Sequence, residues 1–200
     1  YKALMYGISK IPPVPEKLRK EITDWHQEHG TPYCHKLLQK YDPEGADLLH
    51  PNDTSRILRS LEVVLSTGKS IFSYRLEQPF DDALYPFHAI ALNWDRNDLY
   101  QRINKRTLSM LGSGWLAEVE LLLESYSSEL KPMQSIGYRE VVKYLQNKLK
   151  WDEMVEEIQK RTRQFAKRQL TWFRREAKIE WYQPLEEDRI LDDIKVYLEN

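Results

Sequence analysis

Eight basic residues crowd the stretch from Lys160 to Lys178: Lys160, Arg161, Arg163, Lys167, Arg168, Arg174, Arg175 and Lys178, against the single acid Glu176. At about 100° per residue, Ile158, Thr162, Phe165, Ala166, Gln169, Leu170, Trp172, Phe173 and Ala177 fall on one side of a helix. The bases share the opposite arc with Gln164 and Thr171. Asp152, Glu153, Glu156 and Glu157 occupy the first turns, where the helix dipole favours anions. Such a stripe is either a solvated face held by i,i+4 ion pairs or a docking surface for a polyanion. Few acids stand beside these bases, and like charges four residues apart repel by roughly a few tenths of a kcal/mol. That favours a phosphate backbone as the missing counter-charge.

Two smaller groupings carry similar chemistry. Arg56 and Arg59 lie three apart, and Arg102 and Arg106 four apart, each pair spaced to hold one phosphate-like group from one helix face, although such pairs also arise by accident on surfaces. Two other groupings imitate sites. Thr67-Gly68-Lys69-Ser70 resembles the end of a phosphate-binding loop, but Val63 stands where the first glycine is required and no strand precedes it. His26, His29, Cys34 and His35 lack the paired spacing of a zinc site and read as ordinary surface and core residues. No metal ligands are expected.

The elements that must position these residues are mostly helical. Ile11 to Pro15 holds three prolines and cannot be helical. Leu18, Ile22 and Trp25 predict a helix over 16–28 ending at Gly30, and Leu37, Leu38 and Tyr41 a second over 33–41. Asp53 offers an N-cap to a helix over 54–66 with Ile57, Leu58, Leu61, Val64 and Leu65 inward, stopping at Gly68. Residues 69–86 read as loop and Phe87 to Leu92 as a buried strand. Helices follow over 97–111, with Leu99, Ile103, Met110 and Leu111 inward, and over 115–126, separated by Gly112-Ser113-Gly114. Another helix starts near Tyr138, breaks around Asn147 and resumes as one helix over 152–178. Ile179 to Tyr182 reads as a strand, and an acidic helix over 186–198 closes the chain.

Composition bounds the class. The chain's 200 residues are 41% hydrophobic and 12% aromatic, enough for one sizeable core or two small ones. Lys+Arg 30 nearly balance Asp+Glu 31, so any nucleic-acid surface must be local. One cysteine excludes an internal disulfide, and no apolar run nears the roughly 20 residues of a membrane span. A soluble, cytoplasmic protein is expected. Tyr1-Lys2-Ala3-Leu4 lacks an initiator Met and reads as a truncation.

Taken in order, Tyr1-Lys2-Ala3-Leu4 with Gly7, His50-Pro51-Asn52-Asp53 with Arg56 and Arg59-Ser60-Leu61-Glu62-Val63, and Thr67-Gly68-Lys69 resemble the tRNA dimethylallyltransferase family. So do Ile136-Gly137-Tyr138-Arg139, Thr162-Arg163-Gln164, Ala166-Lys167-Arg168-Gln169 and Thr171-Trp172-Phe173-Arg174. The resemblance implies a mainly α chain: a helical insertion domain plus the C-terminal helices and one or two short strands of a P-loop nucleotide-kinase-like α/β core. Residues 1–13 would be a linker, 14–80 the insertion, and 81–200 the C-terminal part of the core with the basic helix. The implied activity is transfer of a dimethylallyl group from its pyrophosphate to N6 of adenosine 37 in the tRNA anticodon loop, with Mg²⁺. The implied partners are the anticodon stem-loop and dimethylallyl pyrophosphate, met by a monomer. Carried over residue by residue, tRNA contacts fall on Ser55, Arg56, Ile57, Leu58 and Arg59, and on Gln134, Ser135, Ile136, Gly137, Tyr138 and Arg139. They also fall on Lys167, Arg168, Gln169, Leu170, Thr171, Trp172, Phe173 and Arg174, with Arg19 added. Gln134 stands where relatives often carry arginine. Arg106 matches the arginine associated with the substrate pyrophosphate. The family's P-loop and general-base aspartate would precede Tyr1, so this polypeptide alone is expected to be inactive. The competing class is a non-catalytic RNA-binding helical module.

Overall fold

The computed structural model describes residues 1–77 and 83–199. They form two compact units, Tyr1–Phe87 and His88–Asn200. The domain boundary expected between 80 and 81 lies outside the described residues.

In the first unit the expected linker contains a short helix, α1 (Lys2–Tyr6), which closes on Gly7. Helical hydrogen bonding then runs through α2 (Glu16–Tyr41), but Gly30 at φ 77° and ψ 176° breaks it just before Pro32, so two helices abut at a kink. That is the glycine stop read from the sequence, without an intervening loop. Asp42 caps α3 (Pro43–Asp47) by accepting from the Gly45 N–H at 3.0 Å. Asp53 accepts from the Arg56 N–H at 3.3 Å to start α4 (Thr54–Thr67), which ends on left-handed Gly68 at φ 70°. The two halves of α2 pack on α4, burying Ile22, Cys34, Leu38, Ile57, Leu61 and Val64. Five deeply buried aliphatic side chains, at roughly 1.5–3 kcal/mol each, make this a self-sufficient core. Tyr41, expected inward, is 48% exposed. The expected loop after Gly68 instead opens with α5 (Ile71–Leu76), because Ser70 accepts from the Phe72 N–H and buries Ile71 behind it.

That same hydrogen bond disposes of the phosphate-loop imitation: Gly68 is a helix C-cap and Ser70 a helix N-cap. Lys69 pairs with Glu77 and lies over the Tyr74 ring at 4.6 Å. The histidines are likewise committed elsewhere. His26 Nε2 meets Thr31 Oγ1 at 3.1 Å, and His35 Nε2 meets the Ala46 carbonyl at 3.2 Å. Cys34 is fully buried, and burial pushes its thiol pKa up.

In the second unit, β1 (Ala89–Leu92) pairs in parallel with β2 (Ile179–Tyr182), Ala89 opposite Ile179 and Leu92 opposite Tyr182. A parallel pair requires a long crossover, and the helices between the strands supply it. These are α6 (Arg96–Met110), a π-turn over Leu111–Trp115, α7 (Leu116–Ser125), a 3-10 turn over Lys131–Gln134, α8 (Tyr138–Leu145) and α9 (Trp151–Phe173). Asp95 caps α6, accepting from the Asn97 N–H at 2.7 Å. Asn147, at φ 57°, makes the break before α9. Leu111, Trp115, Val119, Met133, Val141, Val142, Met154 and Ile158 form the core. Tyr182 is 2% exposed, and its one hydroxyl proton is shared between carboxylate oxygens of Asp193 and Glu180, each at 2.7 Å, which push its phenol pKa well up. The terminal helix is α10 (Glu187–Glu199).

Three expectations for this unit need correction. The basic helix stops at Phe173 rather than Lys178, so Arg174 is its C-cap and Arg175 lies in the following turn. Only Met154 and Ile158 of α9 are buried. Beyond them the helix outruns its core, so Phe165 (45% exposed), Gln169 and Trp172 (39%) are exposed where the wheel placed them inward, and Ala177, past the helix end, is exposed in the turn. Met110, also expected inward, is 36% exposed.

Candidate functional site

The second unit holds an open cavity of about 730 Å³ where α6, the 135–138 turn and α9 meet. Leu99, Ile103, Arg106 and Met110 line it from α6; Ser135, Ile136 and Tyr138 from the turn; and Phe165, Ala166 and Gln169 from α9. Three segments singled out separately in the sequence therefore share one wall. Most of the lining is apolar, with Arg106 as its one cation. Arg106 also borders a second groove of about 470 Å³ with Arg102 and Lys105, so the i,i+4 pair does face common space. Arg102 stacks over the Trp94 ring at 4.1 Å, which fixes its guanidinium.

A backbone oddity shapes the turn. Gly137 adopts φ 95°, and a Cβ there would lie 2.1 Å from Cη2 of Trp115, so only glycine lets the chain pass over this indole. Trp115 and Tyr138 meet edge to face at 5.9 Å. Tyr138 donates its hydroxyl to Glu118, and this hydrogen bond, with some burial, pushes its pKa up. The Gly137 N–H donates to Glu140 Oε2 at 2.7 Å, locking the turn to the start of α8.

On the far side of α9, Lys167, Arg168, Thr171, Trp172 and Arg175 border a groove of about 460 Å³. Lys167, Thr171 and Arg174 also border a third recess with Asn93, Trp94 and Tyr100. Lys167, Arg168 and Arg175 have no ion pair among the described residues. Arg168 lies 5.8 Å from the Phe165 ring, and Arg174 donates to Asn93 Oδ1 at 3.5 Å. The stripe is less uniform than the sequence suggested. Lys160 pairs with Glu157 at 3.0 Å, and Arg161 pairs with Glu157 at 3.1 Å and Glu140 at 3.2 Å. Arg163 donates to Asn104 Oδ1 at 2.7 Å. The sequence hid these partners because Glu140 and Asn104 come from other elements. Lys160 and Arg161 also draw the Glu157 carboxyl below its usual range, the Lys160 hydrogen bond most of all.

Leu170 and Phe173 are half-buried. Gln134 donates to the Ser128 carbonyl at 2.7 Å, and Ser135 to the Pro132 carbonyl at 2.7 Å. In the first unit Ser55 and Arg56 are exposed, Leu58 and Arg59 half-buried, and Ile57 fully buried, so its side chain serves the core. Arg56 pairs with Asp53 at 3.1 Å, while Arg59 (2.8 Å) and Arg19 (3.5 Å) both pair with Glu62. Arg56 and Arg59 are thus held by separate acids. Among the described residues no group of three or more His, Cys, Asp or Glu converges to hold a metal ion. No described helix is long and apolar enough to cross a membrane.

Known proteins resemble this chain over most of its length. Residues 1–176 match the family described as IPP transferase. The chain is 41% identical over 181 residues to tRNA dimethylallyltransferase 2 of Geotalea uraniireducens (strain Rf4), covering 90% of this chain and 58% of that protein. Its structure is similar to the full-length tRNA isopentenylpyrophosphate transferase of Bacillus halodurans, with TM-score 0.61, 28% identity, and coverage of 98% of this chain and 63% of that one. It is also similar to a eukaryotic dimethylallyltransferase acting on tRNA, with TM-score 0.72, 28% identity, and coverage of 91% and 48%. The chain thus spans less than two thirds of each of these proteins.

Proposed function

The chain belongs to the IPP transferase family, and from that premise we propose that it supplies the tRNA-binding surface and part of the pyrophosphate-binding surface for prenyl transfer to tRNA. The donor is dimethylallyl pyrophosphate and the acceptor is N6 of adenosine 37 in the anticodon loop, engaged by a monomer. One observation carries the proposal: Arg106, the 135–138 turn and α9 enclose one largely apolar cavity, while the opposite side of α9 is cationic.

In the proposed reaction a C1–N6 bond forms as the C1–O bond breaks, the pyrophosphate leaves with the bonding pair, and N6 gives up a proton. Negative charge grows on the leaving group, and a guanidinium at the open edge of a largely apolar cavity can pair with it. Arg106 has that position. The base must leave the stack at a cost of a few kcal/mol, which phosphate contacts along Lys167, Arg168, Thr171 and Arg174 would offset. None of the cavity residues is a carboxylate, and Tyr138 is held protonated by Glu118, so proton removal is assigned to none of them. Among the described residues no three or more His, Cys, Asp or Glu converge where they could hold Mg²⁺.

Arg106→Ala is the discriminating variant. It should weaken binding of dimethylallyl pyrophosphate by about 1.5–3 kcal/mol, the range of a charge-assisted hydrogen bond, while tRNA affinity stays within a factor of two or so of the parent's. Equal loss of both ligands in parallel titrations would refute the assignment.

A further inference from the structure

The least expected group in the second unit is Glu140. It is 1% exposed, yet it is ionisable, and both oxygens are used. Oε2 accepts from the Gly137 N–H at 2.7 Å. Oε1 faces two guanidiniums, Arg139 Nε at 2.9 Å from its own helix and Arg161 Nε at 3.2 Å from α9. A buried carboxylate is costly unless paired, so this one is matched by more than one positive charge.

The excess is informative. Arg161 also meets Glu157, and Glu157 meets Lys160. The cluster Arg139, Glu140, Glu157, Lys160 and Arg161 therefore holds three cations and two anions. Both arginines are engaged through Nε, and the terminal nitrogens of each make no hydrogen bond among the described residues. Their side chains remain 29% and 38% exposed. Two like-charged planar groups, Arg139 hydrogen-bonded to Glu140 Oε1 and Arg161 ion-paired to the same oxygen at 3.2 Å while its Nε–H donates to Glu157, are open at their outer edges and match the oxygens of a tetrahedral phosphate group.

We infer that Arg139 and Arg161 form a two-armed site for one phosphodiester of the RNA backbone, with Glu140 as the positioning residue that sets the arms side by side. The inference rests on the proposed tRNA-binding role and adds Arg161, which the family strings do not include. Through Oε2 the same carboxylate fixes the turn that lines the cavity, so phosphate capture and the cavity wall share one anchor.

Glutamine cannot replace this carboxylate. Its single carbonyl can serve either Gly137 or the arginines, and its amide N–H₂ then opposes a donor on the other side.

The test measures affinity of the 200-residue chain for a tRNA transcript across a salt series. Arg161→Gln should lower affinity about tenfold and flatten the log–log salt slope by about one, measured at a temperature where circular dichroism shows the variant fully folded. Arg139→Gln should do the same. The double variant should lose much less than the product of the two single losses, since both arms serve one phosphate. Glu140→Gln should weaken binding in the parent but far less in the Arg161→Gln background. A purely structural carboxylate would cost the same in both. Lys167→Gln serves as the separate control on the basic groove. If it weakens binding while Arg161→Gln does not, or if the losses at 139 and 161 simply multiply, the two-armed site is wrong and the wider role stands. If the parent chain fails to bind tRNA at all, both fall, and that is seen before any variant is made.

Discussion

Gly137→Ala should be among the most damaging single-methyl changes in the chain. Two costs combine. At φ 95° an L-residue sits in a region it rarely adopts, worth about 1–3 kcal/mol. The added Cβ would also approach Trp115 Cη2 to 2.1 Å and Cζ2 to 2.2 Å, well inside contact distance. Trp115 is 8% exposed and packed among Leu111, Met133 and Val141, so it cannot swing clear cheaply. Overpacking of this kind costs about 1–3 kcal/mol. A total near 3–4 kcal/mol lowers the melting temperature by about 6–16 °C at about 2–4 °C per kcal/mol. Gly68→Ala provides the comparison: φ is 70°, but nothing lies within 4 Å of its Cβ position, so only the backbone cost applies. Thermal melting by circular dichroism of both variants separates the two contributions. Trp115→Phe, which removes the clashing ring, should return part of the loss at 137 and none at 68. If Gly137→Ala melts no lower than Gly68→Ala, the close approach to the indole is not what makes glycine necessary here.

Other outcomes follow from the same structure. The purified chain should bind tRNA with affinity that falls steeply with salt, because several phosphate contacts release counterions, yet it should show no prenyl transfer in a radiolabelled-donor assay, since no carboxylate lines the cavity; turnover would overturn the placing of proton removal outside these residues. Ile57→Ala should destabilise the first unit by about 2–4 kcal/mol, because Ile57 is fully buried between α2 and α4; urea unfolding measures it, and a loss below about 1 kcal/mol would contradict the packing. Glu157 has a folded-state pKa below its unfolded one, so its stabilising contribution is present above about pH 4.3 and disappears as pH falls through the folded value. The melting temperature of Glu157→Gln should therefore change less than the parent's across that acidic window, and identical acid profiles would count against the Lys160 and Arg161 contacts.

How much of this was legible in the sequence depended on whether the cause was local. The helix over Thr54–Thr67 was readable from end to end, because Asp53, its inward aliphatics and Gly68 are all near neighbours in the chain. One strand is legible as an apolar run and the other by its alternation, but β1 is shorter than the expected 87–92 and only half-buried, and nothing nearby tells that Ala89 sits opposite Ile179. The basic face of α9 was visible as composition, whereas its division into paired and unpaired charges was not: Glu140 and Asn104 reach Arg161 and Arg163 only after folding. A hint did exist, since a glutamate three residues after Gly137 fits a capping pattern, but its two arginines could not be assigned to one oxygen without coordinates. The end of α9 was missed for a similar reason. Helical spacing continues past Phe173, yet Ile179 must enter β2, and the turn at Arg174–Lys178 makes that change of direction.

The two chemistries of the second unit meet on α9 at adjacent residues. Ala166 lines the apolar cavity and Lys167 the cationic groove; Gln169 returns to the cavity and Thr171 to the groove. At about 100° per residue, one helix can present both surfaces only if its packed length is short, and here burial ends at Ile158. The exposure of Phe165 is then a consequence of the same geometry: a side chain that completed a core at this level would close the cavity. A phosphate held at Lys167 and Arg168 therefore lies across one helix, about 10–12 Å in diameter, from the cavity that Arg106 lines. On the proposed function, backbone capture and placement of an unstacked base would be coupled through this one helix. On the proposed function, weakening the groove in a full-length family member that carries these residues should lower the rate of prenyl transfer even at saturating donor, whereas Arg106→Ala should act at saturating tRNA. A Lys167→Gln, Arg168→Gln double variant whose kcat is unchanged at saturating tRNA, with only KM raised, would show instead that the two faces of α9 work independently.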